Sequence, residues 1–232
     1  MSKNYLVFKG INSNTFDNLV ISELSPISSP EIRVDITEID GADGDIVDEK
    51  GYRAYNKSIK IGLKNSNNID KIIKYFSGSG DLVLSNEPDK VYKAQIYSKV
   101  DYERLLTFRT AKVTFHVQPF KYALNEPPFV FNITNETEVK VTNVGLEKSK
   151  PIITLYGDGE VTLTINGYDV FTVNIDDEFV VIDSMQLEAY KGLILKNRKM
   201  SGNFPILDVG VNTISWTGNL TKLIVEPKSR WL

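Results

Sequence analysis

Apolar residues fall at every second position through much of the chain, the period of a strand with one buried face. In Glu31–Thr37 the apolar positions are Ile32, Val34 and Ile36, and Ile59, Ile61 and Leu63 repeat the pattern. From Thr110 to Gln118, Ala111, Val113, Phe115 and Val117 alternate with Thr110, Lys112, Thr114, His116 and Gln118. One segment departs from this period. Ile69, Ile72, Ile73 and Phe76 lie at i, i+3, i+4 and i+7, between Asn67/Asn68 as N-cap candidates and Gly78 as a C-cap candidate. That spacing predicts a single short helix over 68–77, laid over a sheet.

The alternation stops at Asn125-Glu126-Pro127-Pro128, where consecutive prolines favour extended backbone. Two domains are therefore expected, 1–130 and 131–232, both mainly β. In the second, Val161–Ile165 and Tyr168–Ile175 flank Asn166-Gly167, whose tolerance of positive φ suits a type I′ hairpin turn. Further short strands are expected at 179–182, 193–195, 213–216 and 221–226, a spacing that fits a β-sandwich. No solenoid-type repeat or low-complexity tract is present.

Composition narrows the function. The 232 residues are 41% apolar and 25% charged, enough apolar side chain for a real core. A net charge of −3 argues against a basic field for nucleic acid or an anionic membrane. No apolar run approaches the ~20 residues of a membrane-spanning helix, and Met1–Tyr5 lacks a secretory h-region. The Asn-X-Ser/Thr triplets at Asn56, Asn132, Asn135 and Asn219 are accordingly expected to stay unmodified. With no cysteine, disulfides and thiolate chemistry are excluded, and the chain is expected to be made in a cytoplasm.

Candidate chemistry is sparse. His116 is the only histidine and shares the polar face of its strand with Lys112 and Thr114, without the partners a catalytic triad or two-histidine metal site needs. Asp176, Asp177, Glu178 and Asp183 cluster after the predicted hairpin, as a solvated turn or, less simply, a glycosidase-like carboxylate pair. Asp40–Asp45 superficially resembles a calcium loop, but its glycines fall at positions 2 and 5, and Gly51 stands where the EF-hand needs glutamate. No catalytic residue, cofactor site or metal site is expected. Trp216, at strand spacing from Ile214, is expected in a core, while Trp231 calls for docking on the domain or on a partner.

One electrostatic feature stands apart. Residues 31–49 hold eight acids and one arginine, −8 + 1 = −7, so the rest of the chain is −3 + 7 = +4. A solvated loop is the simple reading. The alternative is a functional negative surface that faces another polyanion.

Over nearly its whole length the chain resembles the distal tail proteins of long, non-contractile-tailed phages. In the first domain the features carrying the resemblance are Gly41-Ala42-Asp43-Gly44, Tyr55 leading into Ile59-Lys60-Ile61, the short helix, Gly80-Asp81-Leu82, and Val113-Thr114-Phe115 ending in Gln118-Pro119-Phe120-Lys121-Tyr122. In the second they are Lys150-Pro151-Ile152-Ile153, the Asn166-Gly167 hairpin, Val181-Ile182-Asp183-Ser184, Gly202–Leu207, Gly210–Ile214, Trp216-Thr217-Gly218 and a last strand into Pro227. All are turn-and-strand punctuation, so specificity lies in their number and order.

The resemblance implies a mainly β protein: an N-terminal β-rich ring domain with one short helix, then a C-terminal galectin-like β-sandwich. It implies a hexameric hub at the tail tip that joins the tail tube protein to a tail-associated adhesion protein or lysin. The tape measure protein would be a neighbour, and DNA would pass through the lumen without specific binding. Asp40, Asp43, Asp45, Asp48 and Glu49 are then candidates for an acidic surface at the lumen or its rim. Ile32, Val34, Ile36, Tyr55, Ile59 and Ile61 are candidates for the ring interface. The second domain, about a hundred residues long, has no room for the long arm of some relatives. It also has no histidine, so a galectin-like shape does not imply galectin activity. The competing reading is a carbohydrate-binding or adhesion module, and a peptidoglycan hydrolase is third.

Overall fold

The structure, a computed structural model, describes residues 4–41 and 43–232. Ala42 of the glycine-containing loop lies outside the described residues, as do Met1-Ser2-Lys3. The chain divides into two compact units, one ending at Leu124 and the other spanning Asn125–Trp231.

The first unit contains β1 (Leu6–Phe8), β2 (Ile11–Asn12), β3 (Leu19–Glu23), β4 (Ile32–Glu38), β5 (Asp45–Tyr52), β6 (Tyr55–Leu63), β7 (Gly78–Leu84), β8 (Glu87–Ile96) and β9 (Thr110–Ala123). All but β4 and β5 join an antiparallel sheet in the order β2-β1-β7-β8-β9-β6-β3. The alternation of β6 and β9 aims Ile59, Ile61, Val113, Phe115 and Val117 into a core shared with Leu6, Phe8, Leu82, Leu84 and Tyr92. Each such side chain contributes roughly 1.5–3 kcal/mol by leaving water.

Helix α1 (Ile69–Tyr75) lies over this sheet, with Ile72, Tyr75 and Phe76 in the core and Phe76 edge-on to Phe115. Its ends differ from the sequence expectation. Asn68 precedes the helix in a left-handed conformation and its side chain caps nothing, Phe76 closes it, and Gly78 already begins β7. A second helix, α2 (Tyr102–Phe108), corrects the expectation of one. Asp101 accepts from Arg104 N at 2.8 Å as its N-cap and Arg109 ends it in a left-handed conformation. In α2 Tyr102, Leu105 and Leu106 fall at i, i+3 and i+4, but the stripe ends there with Arg109 at i+7, and only Leu105 is buried, so this helix is less legible than α1.

The second unit holds β10 (Phe129–Asn132), β11 (Glu138–Asn143), β12 (Ile152–Ile165), β13 (Tyr168–Ile175), β14 (Phe179–Asp183), β15 (Glu188–Lys191), β16 (Ile194–Leu195), β17 (Met200–Gly202), β18 (Gly210–Glu226) and β19 (Arg230–Trp231). Asn166 and Gly167 both have positive φ, as the I′ turn between β12 and β13 requires. The two strands expected at 213–216 and 221–226 are one, β18.

β12 and β18 pair along their length with register shifts around Gly157 and at 158–162. Their first and second halves take different neighbours: β14 and then β13 for β12, β11 and then β10 for β18. Glycine makes the bend possible. A Cβ on Gly218, at φ +99°, would sit 2.2 Å from Glu160 O, and one on Gly157 2.1 Å from Asn219 O. Residues from both halves, including Ile153, Leu155, Leu163 and Val173, share one apolar cluster. β10 belongs to this unit through its pairing with β18, so the division falls ahead of the expected 130/131.

Candidate assembly interface

β4 and β5 form a two-stranded ribbon that joins neither large sheet. Its register pairs Val34 with Glu49, Asp35 with Asp48, Ile36 with Val47, Thr37 with Ile46 and Glu38 with Asp45. Because side chains alternate, one face carries Val34, Ile36 and Val47 with Glu38, Asp45 and Glu49 around them. That face is uncovered: Ile36 is 59% exposed, Val47 57% and Val34 40%. An isolated two-stranded ribbon is at best marginally stable in water and needs something against its apolar face. The other face is relieved internally, since Lys50 bridges the opposed Asp35 and Asp48.

The base of the ribbon is firmly held. Glu31 O accepts from Arg53 N at 2.8 Å across the neck, and Tyr52 packs edge-on to Phe120. The segment leading in is held through three carbonyls. Ser25 O accepts from Asn86 Nδ2 at 3.1 Å, Pro26 O from Lys57 Nζ at 3.2 Å, and Ser28 O from Tyr55 OH at 3.2 Å.

Lys57 belongs to a buried charge cluster. It is fully enclosed and 4.0 Å from Glu87, which also accepts from Lys121 at 2.6 Å and from the Tyr92 hydroxyl. Burial pushes the Lys57 ammonium below its ordinary pKa, against the opposing pull of Glu87. Burial would raise the Glu87 carboxyl, but bonds from Lys121 and Tyr92 hold it below the usual range. The cluster escaped the sequence reading. Its trace there is a lysine at a core-facing place in the alternation Tyr55, Lys57, Ile59, Ile61.

The predicted interface residues thus separate. Ile32, Val34 and Ile36 are exposed on the ribbon, and Tyr55 is half-buried beneath its lead-in segment. Ile59 and Ile61 are fully buried in the first core, so their side chains cannot meet a partner, which corrects that expectation. Asp45, Asp48 and Glu49 lie on β5, and Asp40 and Asp43 at the ribbon's turn, all exposed. Among the described residues, six of the eight acids in 31–49 have no ion pair.

The remaining chemical candidates have structural partners. His116 shares a hydrogen bond with Asn56 at 3.1 Å and lies edge-on to Tyr97. Asp176 pairs with Lys196, and Asp177 and Glu178 pair with Lys191. Asp183 is buried and accepts from Met185 N and Gln186 N, which makes it a turn residue. Trp216 packs against the second core, and Trp231 is part-buried in β19. No group of three or more potential metal ligands occurs among the described residues.

Two β units, the first bearing a detached ribbon and a helix over its sheet, together make the fold of a phage tail hub protein. Over 100% of both chains the structure matches SPP1 Dit (gp 19.1), described as a paradigm of the hub adsorption apparatus in phages infecting Gram-positive bacteria, with a TM-score of 0.72 and 14% identity. A chain of the phage p2 baseplate in its activated conformation with strontium covers 97% of this chain and 98% of its own, with a TM-score of 0.53 and 10% identity. The calcium form of that baseplate gives the same values. No family model matches the sequence, and neither does any curated protein.

Proposed function

We propose that this chain is a structural protein of a phage tail tip, a hub that closes into a ring of six and joins the tail tube protein above to an adhesion protein or lysin below. The observation that carries this reading is the match to a tail hub protein over the full length of both chains, both units included. The uncovered ribbon supports it independently. A ring needs a patch on each subunit that meets a different patch on the next, and a firmly based ribbon with an apolar face is such a patch. A permanent interface of this kind buries on the order of 2,000 Å² or more.

In this reading the first unit forms the ring. The tape measure protein and then DNA occupy the lumen, and the protein acts in the virion after assembly in the host cytoplasm. Asp40 and Asp43, at the ribbon's turn, are the acids proposed for the lumen or its rim. A like charge there lets DNA, with one negative charge per ~1.7 Å, slide past instead of binding.

Electron microscopy of purified tails tests the reading. Six copies around the axis at the tip are expected. A protein absent from tails, or present only as outer copies that never touch, sinks it.

A further inference from the structure

A groove of about 840 Å³ opens on the polar face of the first sheet, between β6, β9 and the start of α2. Leu24 and Pro26 give it an apolar part, and Lys60, Lys99, Arg104 and Lys112 surround them. Among the described residues none of these four cations makes an ion pair. Of the two acids that line the groove, Glu23 and Asp101, the latter is engaged as the cap of α2. Next to the groove, Phe108 stands 69% exposed with its ring 5.9 Å from the Arg104 guanidinium.

Register adds a sharper point. Lys60 and Lys112 are directly opposed across β6 and β9, and Glu38 and Asp45 are directly opposed across the ribbon. Like charges opposed on neighbouring strands destabilise a sheet. On the ribbon's other face the comparable Asp35–Asp48 pair is bridged by Lys50. Among the described residues neither the Glu38–Asp45 nor the Lys60–Lys112 pair is bridged by an ion pair, although Glu23 on β3 stands opposite Lys60, and the two pairs are opposite in sign. Both lie next to apolar surface. The chain's own ribbon does not fill the groove, because its apolar face is exposed.

We infer that the groove receives the ribbon of an adjacent copy, with Glu38 and Asp45 of one copy set against Lys60 and Lys112 of the next and Ile36 and Val47 over the apolar part. This rests on the ring reading above and names the two surfaces that make the ring. The contact is head-to-tail, as ring closure requires.

Because the chain has no cysteine, a pair introduced by design is unambiguous. Purified tails carrying Ile36→Cys with Ser58→Cys should give, on oxidation, a ladder of linked copies up to six, and either single variant should give none. A second pair, Val47→Cys with Thr114→Cys, repeats the test. Separately, Asp45→Lys or Lys112→Glu should each reduce incorporation into tails at least about tenfold, and the two together should restore most of it. A ring of six with no ladder from either pair, and a double reversal no better than the singles, overturns this inference and leaves the hub reading intact. Linkage to a different tail protein also overturns it, since the ribbon then has another occupant. Absence of the wild-type chain from tails overturns both.

Discussion

The protein contains two hairpins that look alike as sequence and differ completely as structure. In β4 and in the second half of β12 apolar residues alternate with polar ones. In the second hairpin, Val161, Leu163, Phe171 and Val173 are buried in the core of their unit, whereas in the first Val34, Ile36 and Val47 are left in water. Alternation therefore reports that a face is made to be covered, and says nothing of which molecule covers it. The difference comes from the neighbours. β12 has strands on both sides, while β4 and β5 have only each other.

The largest effect should come from beneath the exposed hairpin. Glu87→Gln leaves Lys57 and Lys121 enclosed without a countercharge, and should cost about 3–5 kcal/mol by denaturant unfolding. A loss under 1 kcal/mol would show that the cluster does not hold the hairpin's lead-in segment. The pH dependence has a definite sign. Glu87 is held below its ordinary pKa in the folded chain, so its contribution is present above the unfolded value and is lost as pH falls through the lower, folded one. That acid limb of the stability profile should be missing in Glu87→Gln.

Next in size is the covered hairpin. Leu163→Ala removes a fully buried side chain and should destabilise the second unit by about 2–5 kcal/mol. The matching change in the exposed hairpin, Ile36→Ala, should leave the isolated chain within ~0.5 kcal/mol while lowering its incorporation into tails. Equal losses in the two isolated variants would end the contrast between the hairpins. Smaller again is the turn. Asp40→Lys with Asp43→Lys should leave folding untouched and slow DNA ejection from assembled tails, and unchanged ejection would remove those acids from the lumen.

These contrasts also mark what the sequence made legible. The strands of both units, the Asn166-Gly167 turn and helix α1 could be read because each repeats a period over several residues. α2 was missed because its stripe, Tyr102, Leu105 and Leu106, covers a single turn and stops at Arg109. The join within β18 was hidden because Gly218, which reads as a break, here bends a continuous strand. At the candidate site Ile32, Val34, Ile36 and the acids were named from the sequence, but Val47 was not, because β5 sets it beside Ile46 with no alternation. Ile59 and Ile61 carry the same alternation but spend it on the core, and the groove's cations are scattered from Lys60 to Lys112 with no local pattern. Only the fold brings them together.

The bend at Gly157 and Gly218 has a consequence for how the second unit comes apart. β12 and β18 each give one half to either side of the bend, so neither side owns a complete set of strands. No layer can peel off while the other keeps its hydrogen bonds. In deuterated water the amides of Ile153 and Leu163, on opposite sides of the bend, should therefore exchange through the same rare opening, at rates that track the stability of the whole unit.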